Sequence, residues 1–383
     1  MKISPSSKKN FLRTRVIKKI SDIPALEFNK IFPHVPEKYH FFKTLDEAGF
    51  HQFTFYYILV YHRKELVGAA PCFVVDYSLD TSISGLLRQL TNKITKIFPK
   101  LFSIKTLICG IPMGQGQVGL NLSYSGVLEA IETRLESLAR KIKAPLMAFK
   151  DFDASYDKTF EPLLKKDYLK INSLPMTRLK INFSNFEEYL KYLGGDTRYD
   201  FRKKLKKAAS VQIDSSIITH LDEQTLSEVY ELYLQAVQMH DMNFEILPKD
   251  FFRLISVNMP QETKFFLWRM NGKLVAFNFF LVSDGVLLDY YLGFNYTLAF
   301  QYHLYFVRFK KTLDWGISQG LQVYEMGTTG YEPKRRLKFD LVPVYLYVKI
   351  RYKILRPFFK ILCSMLKFEN FDPELKKWKK SLK

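Results

Sequence analysis

Over residues 265–326 the apolar positions change their period in a fixed order. Residues 265–269 (FFLWR) read as a strand, Asn271-Gly272 as a two-residue hairpin turn, and 273–282 (KLVAFNFFLV) as the return strand. Asp284-Gly285 turns into a third strand at 286–291. A helical stretch follows over about 301–318, and 321–326 is a strand again. Hairpin, strand, helix, strand is the order of an α/β layer around a mixed sheet. Residues 53–149 repeat it. Residues 53–61 and 66–75 are strands around a turn at Lys64-Glu65, and 104–109 is a third. Leu128, Ile131, Leu135, Leu138 and Ile142 then recur at helical spacing, and 146–149 closes the set. Pro71, inside the second of these strands, predicts an edge position or a bulge.

The two halves differ in length at one place. Leu66 aligns with Leu274 at an offset of 208 and Gly110 with Gly293 at 183, so the first half carries about 25 extra residues. That insertion, about 78–104, places Leu87, Leu90, Ile94, Ile97 and Leu101 on one helical face beside Arg88, Lys93, Lys96 and Lys100. A basic amphipathic helix suits a membrane interface or an amphiphilic substrate, and equally a helix packed on its own domain. The expected division is 1–180, 181–348 and a basic amphipathic tail at 349–383.

Charge sharpens this picture. The chain has 58 Lys+Arg against 38 Asp+Glu, a formal charge of +20, which favours nucleic acid, phosphorylated cofactors or acidic membrane. Seven Lys and Arg precede the first acid, Asp22, and residues 349–383 hold eleven Lys/Arg against three Asp/Glu, a balance of +8. Both ends also read as solvated surface. Cys72, Cys109 and Cys363 are too few and too scattered for a disulfide framework or a metal cluster, so a reducing cytoplasm and no metal are expected. There is no apolar run long enough for a membrane span, and the basic N-terminus lacks the apolar core of a signal peptide. Walker, zinc-ligand and Gly-x-Ser-x-Gly patterns are missing.

Between the halves, Gly194-Gly195 breaks the chain, and Asp196 or Thr197 can cap a helix starting near Arg198. Arg198, Arg202 and Lys206, four apart, form a cationic stripe suited to phosphate oxygens, or a plain solvent-facing face. The run Thr197-Arg198-Tyr199-Asp200-Phe201-Arg202, continuing to Ala208 and Val211, resembles the T-R-Y-N-x-R…A…G-V pattern of the FemAB-like peptidoglycan-bridge aminoacyltransferases. Asp200 stands for the usual Asn and Ser210 for the usual Gly. A second run, Tyr324-Glu325-Met326-Gly327-Thr328-Thr329-Gly330-Tyr331-Glu332-Pro333-Lys334 with Phe339 and Pro343, resembles the F-E-x-G-x-x-G-x-x-K…G-F-x-P run of the same group and of CelD-type acyltransferases. Lys338 takes the place of a Gly in that run. Tyr291-Leu292-Gly293 and His303 also resemble that group. The resemblance spans about 185–350 and implies two tandem GNAT-like domains, in agreement with the repeat.

The same residues supply a chemistry. Glu325 ends a predicted strand, Gly327 and Gly330 permit a tight loop, and Lys334 can bring a cation to it. Glu325 or His303 is the candidate general base. Lys334, Tyr291 or backbone N–H groups are candidates to steady an oxyanion. The structural alternatives are a buried core His303, a Glu325 paired with Arg335 or Lys334, Tyr290 and Tyr291 as cleft wall, and ordinary turn glycines. The resemblance implies an N-acyltransferase carrying an acyl group, from acyl-CoA as co-substrate, to an amine acceptor that is lipid-like or a cell-wall precursor. Residues 293–300 lack the Q/R-x-x-G-x-G/A phosphate loop of ordinary GNAT domains, and Gly114-Gln115-Gly116-Gln117-Val118-Gly119 has the wrong spacing. The alternatives are aminoacyl transfer from charged tRNA to a peptidoglycan precursor, and a non-catalytic binder of anionic lipid or nucleic acid. Residues 350–368 and the insertion together predict peripheral attachment to the inner face of an anionic membrane.

Overall fold

The computed structural model describes residues 12–33, 35–78, 103–239, 244–365 and 372–381. The chain forms two compact units, each around a mixed sheet, as the repeated pattern predicts. The first holds residues up to Pro33, His51–Asn172 and Tyr345–Leu366, and the second holds His34–Phe50, Ser173–Val344 and Lys367–Lys383.

The first sheet contains β1 (Leu12–Ile17), β2 (Thr54–His62), β3 (Glu65–Ser78), β4 (Ser103–Cys109), β5 (Gly119–Leu120), β6 (Leu146–Asp153) and β7 (Leu169–Asn172). The second contains β8 (Met176–Lys180), β9 (Asp214–Ile218), β10 (Thr263–Met270), β11 (Lys273–Ser283), β12 (Val286–Phe294), β13 (Val323–Met326) and β14 (Asp340–Val342). The last strand, β15 (Val344–Ile350), returns to the first sheet, whose order is β1-β2-β3-β4-β6-β15-β7 with β5 on β3. The second sheet runs β14-β8-β13-β12-β11-β10-β9.

These pairings depart from the expected boundaries. A division at 180 would cut β8 from its partner β13, whose register is Glu325↔Arg178. The tail at 349–383 is not a separate piece. Lys349 on β15 is buried against the helix Val127–Lys141, its ammonium 3.2 Å from both Glu132 and Glu136. The helix Pro373–Ser381 instead puts Leu375 and Trp378 into the core of the second unit. Pro71 lies inside β3, not on an edge. It falls between the last β4 pair, Cys72↔Cys109, and the β5 pairs at Gly68 and Ala69, where a missing N–H costs no ladder bond.

Of the insertion, residues 79–102 lie outside the described residues, as does the basic segment 1–11. Ser78 and Ser103 on either side are paired strand residues. The expected helix over 301–318 is two helices, Tyr296–Tyr302 and Leu304–Ser318, broken at His303, whose φ is +53°. Among the described residues no helix is long and apolar enough to cross a membrane, and no three metal-capable side chains converge.

Candidate active site

Two parallel strands part in the second sheet, and a bulge decides where. β12 pairs with β13 from Val286↔Val323 to Asp289↔Met326. Against β11 its register slips, with Phe280 opposite Asp289 and Phe279 opposite Tyr291, so Tyr290 is an extra, bulged residue. The bulge comes immediately after the last β12–β13 pair. Beyond it β12 continues to Phe294 beside β11, while β13 ends at Met326. The carboxyl ends of parallel strands are where an open α/β sheet presents residues to a ligand.

Successive side chains of a strand face opposite ways. Glu325 therefore points to one side of the sheet, and Tyr324 and Met326 to the other. Glu325 is 7% exposed. Arg178 Nε donates to its Oε1 at 2.6 Å, and Nη2 approaches the same oxygen. Oε2 has no hydrogen bond among the described residues, so one oxygen of the carboxyl group remains open. The partner is Arg178 on β8, not the Arg335 or Lys334 that proximity in sequence suggests.

Beside this carboxylate, the Tyr290 hydroxyl donates to the buried Glu37, just before the helix Tyr39–Glu47. Burial, then the charge of Glu37 and more weakly that of Glu325, hold the Tyr290 phenol well above its ordinary range. Tyr291 donates to Glu245 Oε1 at 2.7 Å, and burial and Glu245 raise it likewise. A phenol has one proton to give. That of Tyr291 is committed to Glu245, so its expected role toward an oxyanion is not prepared here.

The other side of the sheet holds a polar cluster that no motif or spacing announces. Arg308, fully buried on the helix Leu304–Ser318, reaches Asp289 Oδ2 at 2.7 Å and also donates to Asn278. Tyr324 donates to Asp289 Oδ2 at 2.8 Å, and Asn278 Nδ2 to Oδ1 at 2.6 Å. Arg308 Nε and Nη2 remain without a hydrogen-bond partner. Lys334 belongs to this side. Its electrostatic neighbours are Asp289, Arg308 and Asp372, and its ammonium donates to the carbonyl of Gly327 at 2.5 Å. Burial pushes it down to about 7. Lys334 thus fastens the loop leaving β13 rather than standing beside Glu325.

The remaining candidates fall elsewhere. His303 has Lys207, Lys204 and Asp200 as its charged neighbours; burial, then the two ammonium groups, lower its pKa. It is not grouped with Glu325. The helix carrying Arg198, Arg202 and Lys206 begins at Gly195, three residues early, and neither Asp196 nor Thr197 caps it. Phe201 anchors it against Phe186, Phe306 and Phe309. Arg202 and Lys206 of the stripe are exposed, with Arg202 on Glu187 at 2.6 Å, while Arg198 is half-buried. Asp200, where the resembled pattern has Asn, pairs with Lys204 at 2.8 Å and Arg336 at 2.7 Å. Of the two loop glycines only Gly330 takes a left-handed conformation, φ +64°; a Cβ at Gly327 would meet nothing within 4 Å.

In the first unit the matching gap is filled. β4 and β6 pair up to Cys109↔Phe149, and the glycine-rich loop then lies along the continuation of β6. Gly116 N–H donates to Asp151 O at 2.9 Å, and a Cβ on Gly116 would sit 2.0 Å from the carbonyl of Lys150. Gln115 closes it further on Asp153 at 2.7 Å.

Residues 195–335 match the family model of the acetyltransferase (GNAT) domain. This match lies within the second unit. Three solved structures share the fold over most of the chain. FemX is 10% identical with a TM-score of 0.57, covering 91% of this chain and 100% of that one. A tandem GNAT protein from the clavulanic acid biosynthesis pathway is 10% identical with a TM-score of 0.51, covering 88% and 98%. The C-terminal domain of a putative lysylphosphatidylglycerol synthetase from Agrobacterium fabrum is 11% identical with a TM-score of 0.51, covering 88% and 94%. At these identities the likeness is one of fold. Among curated proteins no sequence match is found. The chain is a tandem GNAT-like fold, as its internal repeat and the FemAB-like runs imply.

Proposed function

We propose that the second unit transfers an acyl group to an amine in the crevice where β12 and β13 part, and that the first unit is non-catalytic. The observation that carries this reading is the open Oε2 of Glu325 at that parting, beside the bulged Tyr290. A neutral amine attacks a carbonyl through its lone pair and must shed one proton as the new bond forms, and a buried carboxylate held by one arginine can take that proton. The amine nitrogen then bonds to the acyl carbon, and the carbonyl pair moves to oxygen. Collapse breaks the bond to the leaving thiol or hydroxyl, which takes the proton back from Glu325. Backbone N–H groups of β12 beyond Asp289, where its pairing with β13 has ended, would donate to such an oxyanion. In the first unit the backbone of the loop occupies the corresponding space.

The donor is an activated acyl ester or thioester. An acyl-CoA is the co-substrate that GNAT domains generally use. The pyrophosphate cradle of ordinary GNAT domains is not reproduced here: the helix after β12 has seven residues, and the N–H of its third residue, Leu298, is taken by the capping Asn295 at 3.2 Å. That occupied N–H favours a second reading, in which the acyl group is an aminoacyl ester carried on tRNA.

Purified protein offered acetyl-CoA, a long-chain acyl-CoA and charged tRNA, each with a panel of amines, separates these readings by the product mass. Acylated amine from one donor, lost in Glu325→Gln with unfolding unchanged, is the expected result. Full turnover by Glu325→Gln would remove the base, and product from none of the donors would remove acyl transfer.

A further inference from the structure

We infer that an outward stripe of the C-terminal helix of the first unit docks on an anionic lipid bilayer. This is independent of the acyl-transfer reading. The helix Arg356–Met365 is fixed to its unit along one side: Cys363 is buried, Phe359 and Leu362 are half-buried, and Arg356 pairs with Asp167. The other side is apolar and in solvent. Phe358 and Ile361, three apart on one face of the helix, are 69% and 55% exposed, and Ile354, in the short turn Lys353–Leu355 just before it, is 88% exposed. Tyr352 and Leu355, 52% and 44% exposed, extend the patch. Single exposed apolar residues are ordinary on a protein surface, but a contiguous row of this kind marks an interaction site.

Charge selects the occupant. Lys353 and Lys360 flank the row, exposed and without an ion pair among the described residues, and residues 351–364 contain no acid at all. A second copy of the chain would bring the same cations to the interface. The chain's own apolar segment at 87–101 is also cationic, with Arg88, Lys93, Lys96 and Lys100, so it repels this face instead of neutralising it. A bilayer with anionic headgroups meets both demands: acyl chains accept Ile354, Phe358 and Ile361, headgroup phosphates accept Lys353 and Lys360, and Tyr352 suits the boundary with its apolar ring and polar tip.

The test is co-sedimentation of the full chain with vesicles of mixed phosphatidylglycerol and phosphatidylcholine, and with vesicles of phosphatidylcholine alone. Binding should be at least about tenfold stronger to the anionic vesicles and weaken as salt rises. Phe358→Ser with Ile361→Ser, and separately Lys353→Glu with Lys360→Glu, should each weaken it about tenfold. All four sites are exposed, so folding is spared, and far-UV circular dichroism checks that. Phe358→Trp supplies a direct readout: added emission should shift to the blue on anionic vesicles. Absence of vesicle binding would overturn the proposal and leave the face to a protein partner. Binding that survives both double substitutions, or an unshifted Phe358→Trp spectrum on bound protein, would overturn it by placing the contact on another segment.

Discussion

Lys334 donates a hydrogen bond to the carbonyl of Gly327, 2.5 Å away, and fastens the loop that leaves β13 just past Glu325. The ammonium has left water to do so, and burial lowers its pKa from 10.5 to about 7.

That shift has a consequence for stability. Between about pH 7 and the ordinary lysine range the unfolded chain binds a proton that the folded chain has released. Stability therefore rises with pH across that window, by up to about 1.4 kcal/mol per pH unit. Below about 7 both states hold the proton and the cost is constant. Urea unfolding at several pH values should give the wild type a steeper rise than Lys334→Met from about pH 7.5 to about pH 9.5. Parallel profiles would show that Lys334 keeps its charge when folded.

The Asp289–Arg308 pair should behave as a unit. Removing one partner leaves the other charged and buried, and Arg308 already has two nitrogens without hydrogen bonds. Asp289→Leu and Arg308→Met should each cost about 3–5 kcal/mol, and the double substitution much less than the sum. The coupling is read from urea midpoints of the four proteins. Simple additivity would mean that water or another group takes over the pairing.

How much of this was legible follows from the range of each interaction. Asn271-Gly272 named its hairpin because both residues must take positive φ, and they do, at +48° and +77°. Strands β10, β11 and β12 were legible for the same local reason. The break at His303 was not, since the aromatic run 300–306 has no glycine or proline to mark it. Nor was Arg178, which meets Glu325 across 147 residues of sequence, or Glu37, which topology carries from before the first sheet's hairpin into the second unit. Charged residues such as Arg308 inside an amphipathic helix read as surface until a sheet is laid on them. The glycine pair of the site was visible as a motif, while the clamp by Lys334 needed the turn between them.

The glycine loops of the two units predict opposite responses. Gly116→Ala sets a Cβ 2.0 Å from a backbone oxygen of β6 and 2.8 Å from the Phe152 ring, so backbone must move. It should destabilise the first unit by roughly 2–4 kcal/mol, as overpacked sites do at their worst. Gly327→Ala has room and an ordinary φ, so its melting temperature should stay within about a degree or two of wild type. If turnover nonetheless falls, the added methyl group is obstructing substrate. A large loss of stability in Gly327→Ala would instead make that glycine structural.

Lys338 gives the sharpest test of the sequence resemblance, because it occupies the place of a glycine. Its φ is +62°, one residue past the capping Leu337 of the helix Tyr331–Arg336, and its N–H bonds Arg335 O at 3.1 Å. The turn a glycine would make is therefore made by a lysine, against the clash of its Cβ with the carbonyl. Left-handed backbone costs an ordinary residue about 1–2 kcal/mol. Glycine removes that strain but gives the unfolded chain more freedom, which takes back about 0.4–1 kcal/mol. The balance favours Lys338→Gly by about 0.5–1 kcal/mol, provided the side chain makes no contact of its own. Lys338 is exposed, which meets that condition. Urea unfolding of Lys338→Gly beside Lys338→Ala decides it, since alanine keeps the strain and should gain nothing. Equal midpoints for both would mean that the lysine holds this turn through its side chain, and the glycine of the resembled pattern would then be no guide to this loop.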